Sequence, residues 1–249
     1  MDIEAAKAAF RDYAAEFMTG EIDCDRSLKL KLEHTFRVLS LAQRLAVAEN
    51  FAPKSARRLA YAALYHDLSR FIQFRRCRSF RDTPDFDHGK ESARLTSELP
   101  QALFPFTGEE RKAVLAAISS HNARTVPADA DFILLALRDA DKLDIFELTL
   151  SELEHPANPD ICFGLPPAGR LSPAVGAALA AHESPSHRAM ATKEDFIAAK
   201  IGWVYDLNFS FSRRYVREQD FLVRLERQLP DLPELPELFR AAKARVEEK

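Results

Sequence analysis

Glycine and cysteine are scarce in this chain, long apolar runs are missing, and neither sign of charge dominates. Only 7 glycines occur in 249 residues. No segment alternates convincingly between apolar and polar residues, while alanine and leucine recur at helical spacing, so the chain reads as nearly all helix. The three cysteines, Cys24, Cys77 and Cys162, are odd in number and far apart. That spacing suits neither a disulfide framework nor a CxxC zinc site, and it fits a reducing cytoplasm. No stretch reaches the ~18 uninterrupted apolar residues of a membrane span. The first residues, MDIEAAKAAFRDYAAEF, carry acids and read as a helix, not as a signal peptide. With 35 basic and 38 acidic residues the net charge is −3. Overall charge therefore gives no pull toward nucleic acid or membrane, and any attraction for anions must be local.

What is present suffices for a sizeable core: 47% of the residues are hydrophobic. Periodicity places helices over about 3–18, 25–49 and from Pro53 to the pair His66–Asp67. The segment 76–87, RCRSFRDTPDFD, reads as a loop. A helix follows His88 and Gly89 and ends near Pro100. Thr107 and Glu110 have capping-box spacing before a helix that ends close to His121. Another helix runs from about Asp129 to Glu154. Composition then shifts. Residues 156–191 are proline-rich and read as a long loop, with a short helix from Pro173, either a mobile cover over a site in the preceding helices or a surface excursion that does not touch it. Thr192 and Asp195 cap one further helix, DFIAAKIGWVYDLNFSFSRRYV, and a last one covers 234–247. This gives a core over 1–155, the loop 156–191 and C-terminal helices over 192–249 packed on the core, one domain overall.

Four of the seven histidines fall in a suggestive set. On the helix around Asp141 the apolar stripe runs Leu134, Leu137, Ile145 and Leu148, and Asp141 occupies its missing step, whereas Asp139 points off it. An inward carboxylate needs a cation or several donors. His34 lies between Leu30 and Val38 at i+4 spacing, and His66 follows Leu59, Ala62 and Ala63. Any one of these alone is most simply a satisfied core residue. Together, His34, His66, Asp67, His88, His121 and Asp141 come from separate helices or their ends. Imidazole with carboxylate is a ligand mix for first-row divalent metals. His155, His182 and His187 lie in or beside the proline-rich stretch and read as surface residues. Trp203, Phe209 and Phe211 read as packing residues.

The segments LEHTFRV, LYHDLSR and LRDADKLD, in this order, resemble the H…HD…D pattern of the HD-domain metal-dependent phosphohydrolases over roughly residues 26–150. The two further histidines, in DHGK and SSHN, resemble the subset that binds two metals. The GYP motif of cyclic-di-GMP hydrolases is missing after His121, where HNARTVP stands. The resemblance implies an all-α HD-domain helical bundle with additional C-terminal helices. It implies that His34, His66, Asp67 and Asp141 hold a first divalent ion (Mn, Fe, Co, Ni, Zn or Mg). Asp67 would bridge to a second ion held by His88 and His121. Asp141 is favoured over Asp139 because the family's ligand precedes the basic residue of the ADKL motif. Asp144, one turn on, is a candidate partner for a ligand histidine.

Arginines crowd the same region: Arg70, three residues after Asp67 where the family often has lysine, then Arg75, Arg76, Arg78 and Arg81. Guanidinium groups bind phosphate bidentately. Arg70, Arg75 and Arg76 are the expected substrate contacts. Asp67, Arg70 and Lys142 are the expected catalytic groups, Lys142 as a further cation for transition-state charge. The expected activity is hydrolysis of a small phosphate ester, a nucleotide for preference, by metal-activated hydroxide. The expected setting is cytoplasmic, with no membrane or stable nucleic-acid partner and with room for a homo-oligomer. Two rival classes share the ligand pattern: an HD-type di-iron oxygenase acting on a small anion, and a non-catalytic HD-fold interaction module.

Overall fold

Proline and short polar residues mark several helix starts, as the sequence suggests. In a computed structural model of the chain, which describes residues 3–156 and 161–248, α3 (Pro53–Tyr65) has proline in its first turn. The fixed φ of that ring suits a position whose N–H has no intrahelical partner. It follows α1 (Ile3–Ala15) and the long α2 (Ile22–Ala48). After a turn at residues 66–69 come α4 (Arg70–Cys77), α5 (His88–Ser97), α6 (Gly108–Ser120) and α7 (Phe132–Glu154). Then follow α8 (Pro173–Ala180), α9 (Lys193–Trp203), α10 (Ser210–Glu218), α11 (Phe221–Glu226) and α12 (Leu235–Glu247). No strand occurs among the described residues, so the fold is all-α. None of these helices is long and apolar enough to cross a membrane.

The chain divides into two compact units, residues 1–141 and 142–249, the division falling inside α7. The compositional change at 155 lies instead at the end of that helix. In the first unit α2 packs on α3, α3 on α6, and α5 on α6, while α4 touches α2 and α5. Leu28, Val38, Ala42 and Leu45 of α2, Leu59, Ala62 and Ala63 of α3, and Val114 and Ile118 of α6 are fully buried. Phe10 of α1 meets Phe71 of α4 edge-on at 5.7 Å between centroids, which seats the short α4 on the same core. In the second unit α9 packs on α8, α11 and α12, and α10 packs on α11 and α12.

Several elements differ from expectation. Arg70–Cys77 is helical, so the loop begins later than residue 76. It ends where Arg78 enters the left-handed region at φ 52° and its N–H bonds the Phe74 carbonyl at 2.8 Å. Thr107 makes no side-chain cap, although Thr192 and Asp195 form the reciprocal capping box. The helix expected to run on past Trp203 stops there. Residues 204–206 tighten to a 3-10 turn, and the Asn208 amide donates to the Asp206 carbonyl at 3.1 Å, a local bond that competes with the helical ladder.

Residues 157–160 of the proline-rich stretch lie outside the described residues. From Pro166 onward the stretch is tied to the start of α9. Glu194 accepts from the N–H groups of Ala168 and Gly169, each at 3.0 Å, and Asp195 from the Ser172 N–H at 2.7 Å. The Lys193 N–H returns to the Pro166 carbonyl at 2.9 Å.

Candidate metal centre

Four histidines and two aspartates of the first unit converge, each delivered by a different helix end or inward face. His34 stands on the inner face of α2. His66 caps the C-terminus of α3 and Asp67 follows in the turn. His88 opens α5, His121 caps α6, and Asp141 lies on α7. Asp67 sits at the middle. Its Oδ2 lies 3.4 Å from His34 Nε2 and 3.5 Å from His66 Nε2, while Asp141 Oδ1 is 3.2 Å and 3.7 Å from the same two nitrogens. Its Oδ1 lies 3.6 Å from His88 Nε2 and 4.0 Å from His121 Nε2. One carboxylate thus offers each of its oxygens to a different group of ligand atoms.

The distal ring nitrogens settle the tautomers. His66 Nδ1 is 2.7 Å from the Ala63 carbonyl, and His121 Nδ1 is 2.7 Å from the Ile118 carbonyl. A carbonyl only accepts, so each Nδ1 carries the proton and each Nε2 presents a lone pair. His88 Nδ1 is 2.6 Å from Asp82 Oδ2. Burial works against charge on Asp82, but its bonds from His88 and the charge of Arg70 outweigh that and hold it below the usual carboxylate range. It therefore accepts, and His88 Nε2 is also bare.

Burial pushes His88 and His121 down to about 4, with Arg70 adding to the effect at His88 and His66 at His121. Burial likewise lowers His66. At neutral pH, then, His88 Nε2 and His121 Nε2 face each other at 3.1 Å with no proton to share. Two lone pairs at that distance repel unless a cation answers both. The neutral Nε2 donors of His66, His88 and His121, each of these rings fixed through its other nitrogen, together with ionised carboxylates are a fit donor set for divalent metals.

Packing brings the second pair of histidines together. The Ser69 hydroxyl donates to the His88 carbonyl at 2.9 Å, and the Ser69 N–H donates to the Ser92 hydroxyl at 3.0 Å, so the turn after Asp67 is stitched to α5. Gly89 lets α5 approach α6. A Cβ there would stand 2.9 Å from the Ser119 carbonyl and 2.5 Å from the Asn122 side-chain oxygen.

The cations are distributed differently from expectation. Arg70 does reach the cluster: its Nε is 3.2 Å from Asp67 Oδ1. Its other donors go to Gln73, Asp82 and the Phe80 carbonyl, with Nη2 3.2 Å from His88 Nε2. Lys31, which sequence reasoning passed over, donates to Asp67 Oδ2 at 2.7 Å. Burial opposes charge on Asp67, yet Lys31, His66 and Arg70 together hold it well below the ordinary carboxylate range. Arg75 and Arg76 are not brought to the cluster. Both are exposed, and Arg75 donates to the Glu16 carbonyl at 3.4 Å. Lys142 is paired with Asp206 at 2.8 Å.

The carboxylate found behind His88 is Asp82, from the loop; Asp144 is buried one turn past Asp141. Asp139 also proves fully buried, so it is not off the inner face as its position in the stripe suggested. A helix rotating 100° per residue inside a crowded core can hide more than one stripe. Asp141 Oδ1 lies within 3.7 Å of Nε2 of both His34 and His66. His155, His182 and His187 are exposed, as expected of surface histidines.

Residues 32–147 match the family model of the HD domain, a span that holds every residue of the cluster. This part of the chain is an HD domain. No curated protein and no solved structure gives a significant match. Within the HD domain, the ligand atoms of His34, His66 and Asp141 lie within 4.8 Å of one another, as do those of His66, Asp67 and His121. Either trio could hold a metal ion, and HD domains are commonly metal-dependent hydrolases.

Proposed function

We propose that the HD domain of this chain is a two-metal phosphohydrolase acting on a small phosphate ester, a nucleotide for preference. The observation that carries this reading is the division of labour at Asp67, whose two oxygens face separate histidine groups. His34, His66 and Asp141 would complete one site, His88 and His121 the other. When bound, a pair of divalent ions there supplies a nucleophilic hydroxide at neutral pH and neutralises charge on a phosphoryl oxygen. The chain's own residues keep the imidazoles of His66, His88 and His121 neutral by burial, fix these rings through Ala63, Asp82 and Ile118, and hold Asp67 ionised. Arg70 ties Asp67 to Asp82, so the carboxylate that spans the sites and the one that orients His88 move together.

The test is a panel of phosphomonoesters and phosphodiesters assayed with Mn, Fe, Co, Ni, Zn or Mg, alongside oxygen uptake. Phosphate release that depends on one of these ions supports the reading. Oxygen uptake without phosphate release would assign the protein to the oxygenases instead. His88→Ala and His121→Ala are expected to lose the second ion and keep the first, read by elemental analysis. Two ions per chain in both variants would leave the two histidines outside the metal centre.

Gly89→Ala is a gentler probe of the same site. The added methyl must push α5 from the Ser119 carbonyl, which separates His88 from His121 without altering a ligand. Displacing a ligand's support typically weakens metal binding by about 10- to 100-fold. The second ion should weaken on that scale in a metal titration while the helical circular-dichroism signal is kept. Unchanged affinity would mean that the α5–α6 spacing does not tune the site.

A further inference from the structure

Lys31 and Arg70 each put a positive charge on one oxygen of Asp67, yet they are held very differently. Arg70 is fixed by Asp67, Gln73, Asp82 and the Phe80 carbonyl, so its guanidinium is committed to the protein. Among the described residues the Lys31 ammonium has one hydrogen-bond partner, Asp67 Oδ2, and lies 5.5 Å from the centre of the Phe80 ring. It stands one turn before His34 on the same face of α2, and its side chain keeps 15% of its surface in solvent. Asp67 Oδ2 is the oxygen that also faces His34 and His66. An ammonium and a divalent ion on that one oxygen repel each other strongly in a buried setting. The lysine stem is long and flexible, and the ammonium can leave the oxygen for the solvent side.

We infer that Lys31 is an anion-binding residue. Its ammonium neutralises Asp67 in the metal-free protein, yields Oδ2 to the metal, and then holds an oxygen of the substrate's phosphoryl group beside it. This rests on the two-metal reading above and adds to it a residue, on α2, that contacts substrate. It also moves the substrate cation away from Arg75 and Arg76, which stand exposed outside the cluster. Arg70 remains a positioning residue for Asp67 and His88.

Calorimetry separates the claims. The wild-type chain, Lys31→Met and Lys31→Arg are each titrated first with the divalent ion that wild type binds most tightly, then with inorganic phosphate. Lys31→Met should take up the ion at least as tightly as wild type, because its competitor for Oδ2 is gone. Its phosphate affinity in the loaded form should fall about 10- to 100-fold, the scale of one charged hydrogen bond. Lys31→Arg should restore most of it. Normal metal uptake with unchanged phosphate affinity in Lys31→Met overturns the assignment alone. Loss of metal from Lys31→Met makes the lysine a structural partner of Asp67 and overturns it too. No metal uptake by wild type overturns the two-metal reading and this inference with it.

Discussion

Asp67→Asn is expected to strip the protein of both metals and reduce hydrolysis below detection. The amide matches the carboxylate in size, so packing among α2, α3 and α5 is kept, but the charge shared by both halves of the cluster is lost. An amide also brings two donors toward Lys31 and Arg70, which are themselves donors at 2.7 and 3.2 Å. Metal affinity should fall by more than about a hundredfold, beyond what displacing an outer partner costs. On the proposed two-metal reading, loss of the shared ligand should distinguish this variant from His88→Ala, which is expected to keep one ion. Elemental analysis after gel filtration, with circular dichroism to confirm the helices, is the measurement. Full metal occupancy in Asp67→Asn would falsify the assignment of Asp67 as the shared ligand.

His34 and Asp141 were legible because each sits inward on a long helix, and His66 because it closes the apolar stripe of α3, where a polar residue needs a reason. Period alone did not suffice on α7. Asp139 is as deeply buried as a ligand would be, and it is the approach to His34 and His66 that places Asp141 in the cluster. Asp82 left no trace in the sequence. It lies in a loop, where no periodicity says which way a side chain turns, and its role appears only when α5 brings His88 within 2.6 Å. Lys31 could have been found, since three residues before His34 on a helix is the same face. The run of arginines after Asp67 is the louder signal in the sequence. That run is divided by α4: its first member points at Asp67, and Arg75 and Arg76 of the last turn face solvent. The sequence conceals this helix because charged residues crowd its C-terminal half, although Phe71 and Phe74 supply its buried side. Similarly, aromatic and β-branched residues after Trp203 kept the helical pattern alive where a local Asn208–Asp206 bond ends it.

In the second unit the largest expected effect belongs to Lys200, a residue no part of the proposed chemistry uses. It is fully buried in α9. Its ammonium donates to the Phe196 carbonyl at 2.9 Å and lies 3.4 Å from the Phe196 ring centre and 5.0 Å from that of Trp203. Burial is the main cause that brings it down to about 7, with Cys162 opposing weakly. The unfolded chain holds this proton until about pH 10.4. Between about pH 7 and pH 10 the native state therefore binds fewer protons than the unfolded state, and stability rises with pH across that window. Below it, both states are protonated, and the full cost of burying the charge is present, roughly 3–5 kcal/mol for a shift of this size. Lys200→Met removes the charge, keeps the volume and sets a thioether against two aromatic rings. The variant should be more stable than wild type near pH 7, with the two curves converging by on the order of 3 kcal/mol as pH approaches 10. Trp203 is the single tryptophan of the chain, so urea unfolding followed by its fluorescence reads this unit. Cysteine and tyrosine ionisation affects both proteins alike and cancels in the difference. Parallel stability curves over that pH range would show that Lys200 stays protonated in the folded chain, its charge answered by the ring faces and the Phe196 carbonyl.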